Sequence, residues 1–248
     1  MRYFIELSYN GDVYHGWQKQ PNAISVQEVL EKGLTTLLKE PISTMGAGRT
    51  DAGVHAMQLY AHFNTEVNFE LDVIIYKLNA LLPKDIAVNN IFKVKKDAHA
   101  RFDAISRTYL YRIALRKNVF NYEQAYYLKP KIDVERLNRA TKILFNYKDF
   151  QCFSKSNTDV KTYHCDIMKA EWVIIDGELR FTIQADRFLR NMVRAIVGTL
   201  INIGIGKIEV EELHTIIQSK NRSNAGFSVP AHALYLTEVA YPKNFFLK

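Results

Sequence analysis

Along Arg2 to Tyr9 the residues Tyr3, Ile5, Leu7 and Tyr9 share one face of an alternating run, which predicts a strand. The next segment carries a helix start: Ser25 and Glu28 make a capping box, and Ile24 with Val29 would form a hydrophobic staple around it. Val26, Val29, Leu30, Leu34, Leu37 and Leu38 then keep helical spacing until Pro41. A glycine-rich turn leads to a second strand near Met57 to Phe63. A second helix covers about Leu71 to Leu82 and stops at Pro83, and Ile86 to Val94 reads as a third strand. The first half is thus β-α-β-α-β, with its helices on one sheet face.

The second half repeats the theme. Arg107 to Leu115 alternates as a strand, and Val134 to Phe145 is a helix that Asp133 can cap. The segments Thr162 to Ile175 and Glu178 to Gln184 flank Asp176-Gly177, a two-residue hairpin signal. Phe188, Met192, Ile196 and Leu200 space out a further helix, another covers about Val210 to Ser219, and Leu234 to Tyr241 is a final strand. No linker rich in Pro, Gly or Ser separates the halves. The boundary is placed near Lys96 to Ala104, giving an N-terminal α/β half, 1–100, and a C-terminal α/β half, 101–248. Strands outnumber what βαβ crossovers need, so the expected class is α+β, a mixed or antiparallel sheet backed by helices.

Composition changes this picture little. The 248 residues carry 33 Lys+Arg against 26 Asp+Glu, a net charge of +7, and 48% are hydrophobic, so the chain is not disordered. The mild basic excess favours a polyanionic partner without requiring one. Cys152 and Cys165 form no CxxC and have no histidine at ligand spacing, so neither a disulfide framework nor a zinc site is expected, and a reducing cytoplasm fits. The N-terminus has no signal-peptide core, and the most apolar stretch, Ala195 to Gly206, is too short to span a bilayer.

Three segments could carry chemistry. In Gly46-Ala47-Gly48-Arg49-Thr50-Asp51-Ala52-Gly53-Val54-His55-Ala56, three glycines crowd one carboxylate, and Arg49 could hold it ionised. A fixed, ionised carboxylate in a tight loop suits nucleophilic or general-base work, although clusters of Asp and Gly are also what ordinary loops are made of. In the strand Arg107-Thr108-Tyr109-Leu110-Tyr111-Arg112, the residues Arg107, Tyr109 and Tyr111 share a face, an arrangement that stacks unpaired bases and that good strand formers also produce. In the predicted helix from Arg187, the residues Arg187, Arg190 and Arg194 make a basic stripe that a solvated face would equally explain. The seven histidines have no metal-ligand spacing and are read as structural or surface residues.

These motifs together resemble the tRNA pseudouridine synthase A family. Gly16-Trp17-Gln18 with Gln20-Pro21 and Val26-Gln27 is similar to its N-terminal signature, and Gly48 to Ala56 is similar to its catalytic loop. Asn79-Ala80-Leu81-Leu82-Pro83, His99-Ala100-Arg101-Phe102, Arg107-x-Tyr109-x-Tyr111 and Met192-Val193-Arg194-x-Ile196-Val197-Gly198 follow in family order. Near the end Ala233 stands where the family usually has glycine, and Ser25 replaces its common Thr. The resemblance implies two RRM-like, ferredoxin-like halves sharing a mixed, mainly antiparallel sheet flanked by helices, a homodimer, and no cofactor or metal. It implies isomerisation of uridine to pseudouridine at positions 38, 39 and 40 in the anticodon stem-loop of tRNA. It gives Asp51 the role of nucleophile and Tyr109 that of base contact, with Arg49, Arg194 and Leu234 lining the pocket. The rival readings are a non-catalytic single-stranded RNA-binding module and a nucleoside hydrolase. A carboxylate amid phosphates serves no pure binder, and no paired-carboxylate motif is visible.

Overall fold

The computed structural model describes residues 1–155, 160–243 and 245–246. In chain order the elements are β1 (Arg2–Tyr9), α1 (Val26–Leu38), β2 (Thr44–Gly46), β3 (His55–Asn64), α2 (Leu71–Leu81), β4 (Ile86–Val94), β5 (Ser106–Ala114), β6 (Tyr126–Tyr127), α3 (Val134–Ile143), β7 (Ile167–Ile175), β8 (Glu178–Ala185), α4 (Met192–Gly204), α5 (Glu212–Gln218) and β9 (Leu234–Ala240). They form two compact units, one of Met1–Ser106 with Tyr235–Lys248, the other of Arg107–Leu234. The protein is a mixed α/β molecule whose strands pair mainly antiparallel.

In the first unit β1 lies between β3 and β4, antiparallel to both, and β2 pairs with β3. The order β4-β1-β3-β2 with two intervening helices is the split βαβ, ferredoxin-like arrangement. At the other end of β3, His55 and Ala56 pair in parallel with Tyr235 and Leu236 of β9. Phe4, Ile5 and Leu7 of β1 are all fully buried, so the strand is covered on both faces rather than the one its alternation predicts. The physical reason lies at the far end of the chain: Tyr241 and Phe245 pack on Phe4, and Phe246 packs on Tyr60 and Phe92.

The α1 start obeys its capping signal, since the Ser25 hydroxyl accepts the Glu28 N–H at 3.3 Å. Ile24 is 60% exposed, so the expected staple makes no buried clamp. The first N–H groups of α1 have other partners: Val26 and Gln27 donate to the carbonyls of Gly16 and Trp17 at 3.2 and 2.9 Å. The helix therefore anchors the loop that precedes it.

The second unit runs β5-β6-α3-β7-β8-α4-α5, which repeats the β-α-β-β-α order apart from the two-residue β6; β8 lies between β5 and β7, antiparallel to both, and β6 is parallel to β5. Asp133 caps α3 by accepting the Arg136 N–H at 2.9 Å, and the predicted end of that helix is a 3₁₀ turn, Leu144–Asn146. The Asp176-Gly177 turn has positive φ at both residues (53° and 77°), as a type I′ hairpin requires. Two expectations need correction. The strand expected from Thr162 begins only at Ile167. The helix expected from Phe188 begins at Met192, after Asn191 in a left-handed conformation (φ 67°). Arg187 and Arg190 thus lie outside the helix, and the basic stripe of the sequence pattern does not exist as a helix face.

Candidate active site

Asp51 sits half-buried in the loop between β2 and β3, and the segment 9–17 grips that loop through its backbone. Trp17 N–H donates to the Thr50 carbonyl at 3.3 Å, and Gly53 N–H donates to the Tyr14 carbonyl at 3.2 Å. Val54 N–H closes a turn onto the Asp51 carbonyl at 3.1 Å. The hydroxyls of Tyr9 and Thr50 meet at 2.8 Å in a buried hydrogen bond. Gly16 is required here: its φ is +85°, and a Cβ would overlap the Thr50 carbonyl oxygen. Tyr14 is itself fixed, its phenol donating to Asp85 at 2.6 Å. Burial first, and then the Asp85 carboxylate, push that phenol's pKa well above its ordinary value. The backbone around Asp51 is thus held from both sides.

Arg49, from the same loop, is exposed.

In the second unit Tyr109 lies half-buried on β5 opposite Ile183 of β8, with its ring edge-on to Phe188 (centroids 5.2 Å apart, 89° between planes). Tyr111, expected on the same accessible face, is a core residue with no exposure, and its hydroxyl donates to the Pro230 carbonyl at 3.0 Å. Burial drives its pKa up. A phenol buried on a strand needs one such partner, and the Val229-Pro230 backbone supplies it. The Arg/Tyr face is therefore shorter than the alternation predicts.

Arg194 on α4 is half-buried and grips the same segment: its Nε donates to the Val229 carbonyl at 2.7 Å, and Val229 N–H returns to the Arg194 carbonyl at 3.3 Å. Asn191 and Arg222 both donate to the Ser228 hydroxyl, at 2.7 and 2.9 Å. The run from Ser228 to Pro230 is thereby tied down just ahead of Leu234, which is buried where β9 begins. The contact of Phe188 with Tyr109 and the tying of residues 228–230 are not legible in the sequence, the first because Phe188 reads as part of a helix core. The second has no periodicity, and the Val229-Pro230 motif by itself does not say what it binds.

The Asp51 loop is thus a glycine-lined segment of a ferredoxin-like α/β unit, held in place by backbone hydrogen bonds. The family model for tRNA pseudouridine synthase matches residues 7–103 and 141–242, and the chain belongs to that family of uridine-isomerising enzymes. Proteins named tRNA pseudouridine synthase A from Parabacteroides distasonis and Bacteroides fragilis are 51% and 53% identical to it, each over 99% of this chain and 98% of their own. One of the same name from Staphylococcus aureus is 34% identical over 100% of this chain and 94% of its own. Asp51, Arg49, Arg194 and Leu234 lie inside the matched spans, and Tyr109 falls between them.

Proposed function

We propose that this chain isomerises uridine to pseudouridine at positions 38, 39 and 40 of the tRNA anticodon stem-loop, with Asp51 as the nucleophile. The observation that carries the reading is the doubly gripped Asp51 loop, Thr50 to Trp17 on one side and Gly53 to Tyr14 on the other, in a chain of this family. The reaction breaks the N1–C1′ bond, turns the base and joins C5 to C1′; C5 gives up a proton and N1 gains one. It is an isomerisation, so its balance calls for no oxidant, reductant or phosphoryl donor. It does call for an unprotonated carboxylate beside the nucleotide and for a base taken out of its stack.

In this reading the N-terminal half supplies the Asp loop and the C-terminal half the Tyr strand and Arg194 of α4. Tyr109 packs against the extruded uracil, its own ring steadied by Phe188. Arg49 and Arg194 meet the charges of the carboxylate and the phosphates, and Leu234 walls the pocket. The working form is a homodimer, an assignment supported by the family resemblance alone, and two free, buried cysteines fit a cytoplasmic setting; sedimentation as a monomer at micromolar concentration would contradict the dimer. The rival, an RNA-binding module without catalysis, shares every feature except Asp51. The test is release of tritium from uridine C5 in unmodified tRNA. Asp51→Asn should bind tRNA normally and lose conversion by several powers of ten, the loss expected when a covalent catalyst is removed. Turnover within about tenfold of the parent would sink the assignment.

A further inference from the structure

His55 ends the loop that carries Asp51, and the role of Asp51 as nucleophile leaves it unused. It is 3% exposed, and its ring stacks on Tyr235 of β9 (centroids 4.6 Å apart, 20° between planes). Its Nδ1 accepts the buried backbone N–H of Gly11 at 3.0 Å. An acceptor nitrogen carries no proton, so the ring's hydrogen is on Nε2, the atom 3.7 Å from the Asp12 carboxylate. A buried histidine with a fixed tautomer, lodged in a reactive loop, is more specific than core packing demands.

We propose that His55 is a positioning residue for Asp51, acting through its Nδ1 on the backbone that cages the carboxylate; the inference rests on the assignment of Asp51 as the reactive group. The connection is a continuous run of hydrogen bonds. His55 Nδ1 holds Gly11 N–H, the Gly11 carbonyl holds Tyr14 N–H at 3.0 Å, the Tyr14 carbonyl holds Gly53 N–H at 3.2 Å, and the Asp51 carbonyl holds Val54 N–H at 3.1 Å. Gly11 has no slack, because a Cβ there would overlap the Val54 carbonyl oxygen. Loss of the acceptor strands a buried N–H at the first link and frees the turn of residues 11–14 to move toward solvent. Gly53 then loses its fixed partner, and the carboxylate two residues earlier loses its register. A displacement of about 1 Å at a reacting group can cost about a hundredfold in rate.

Three substitutions separate the acceptor from the ring. His55→Phe keeps the flat ring against Tyr235 and removes the acceptor. His55→Asn removes the ring but places an amide oxygen where Nδ1 was. His55→Gln carries the same amide one atom farther out, at the place of Nε2. Single-turnover tritium release and tRNA affinity are measured on each, beside Asp51→Asn. The expected result is that Phe and Gln lower the rate constant by roughly 10- to 100-fold with tRNA affinity within about threefold of the parent, while Asn stays within about fivefold of it. In nitrogen NMR of the parent, His55 should show a bare Nδ1 and a protonated Nε2. Should Phe fail to fold, the Asn/Gln pair decides, since both are polar and differ only in reach. Equal losses in Asn and Gln, or no loss in Gln, would overturn the inference while a dead Asp51→Asn left the nucleophile standing. An active Asp51→Asn would overturn both together.

Discussion

Tyr109 and His62 show what single side chains contribute. Tyr109 presents a ring set edge-on to Phe188, and stacking against a base is worth about 1–3 kcal/mol. Tyr109→Leu should therefore weaken tRNA binding and rate together. Tyr109→Phe keeps the ring, so normal binding with slow turnover would show that the hydroxyl moves a proton, and near-parent behaviour would show stacking alone. A Leu variant indistinguishable from the parent would make Tyr109 a strand residue only. His62 is 8% exposed, accepts the Ala100 N–H at 3.1 Å, and lies edge-on to His99. Burial, reinforced by Arg2 and His99 and opposed by Asp103, brings its pKa down to about 4. Its folded pKa is below the unfolded value near 6.5, so the unfolded chain binds the proton first. Stability is then complete above about pH 6.5 and falls as the pH drops toward 4, by up to roughly 3 kcal/mol. Urea midpoints of the parent at pH 7 and 4.5 should differ accordingly, and His62→Gln should flatten the difference; an unchanged slope would remove His62 as its source. Neither residue's setting was legible in the sequence. The Arg107-x-Tyr109-x-Tyr111 alternation correctly gives a strand, but alternation cannot say that a Pro230 carbonyl, 119 residues after Tyr111, takes that phenol into the core.

Elements reveal a device used twice. Asn79 of α2 donates to the Val88 carbonyl and accepts the Val88 N–H, both at 2.8 Å, on β4. Asn138 of α3 does the same for Trp172 on β7, at 3.1 and 3.0 Å. Each strand has one pairing partner among the described residues, β1 for β4 and β8 for β7. A side-chain amide carries the same donor and acceptor as a peptide group, so one asparagine satisfies both backbone groups of an edge residue and blocks further pairing there. Asn79→Ala and Asn138→Ala should each cost about 1–3 kcal/mol by urea denaturation, since Val88 and Trp172 are equally buried, at 3% and 2% exposed. Values within a few tenths of the parent would show that water replaces the amide. Sequence reading places both asparagines on helices and both partners on strands, since periodicity and caps are local signals. It places α1 and α2 to within a residue. It misplaces the start of α4, because Phe188 happens to continue the apolar spacing of a helix whose chain reverses at Asn191, where a positive φ leaves no sequence signature stronger than an Asn.

For the whole molecule, the Asp51 loop was legible because its motif is local, whereas the backbone bracing behind it joins residues 33 and 39 positions apart and has no periodicity that could announce it. Charge is the property that only the entire chain has. An excess of seven cations is spread over the length of the chain rather than gathered in one base-reading segment. Cations distributed in this way meet phosphates, and each phosphate neutralised releases counterion, contributing about −0.7 to −0.9 to the slope of log affinity against log salt. Contact with four to six tRNA phosphates would then give a slope of roughly −3 to −5, a fall of about a hundredfold or more between 50 and 200 mM salt. On the proposed assignment of Asp51, the chemical step is a separate matter, because salt acts on encounter and release rather than on a loop held by its own hydrogen bonds. Single-turnover rates at saturating tRNA should therefore change little over the same range, and Asp51→Asn should give an affinity line parallel to the parent's. A slope shallower than about −1 would mean that few phosphates are engaged and that apolar and base contacts carry the complex. A rate constant that fell in step with affinity would mean that the phosphate contacts also help to assemble the site, and the separation of binding charge from catalytic loop would be wrong.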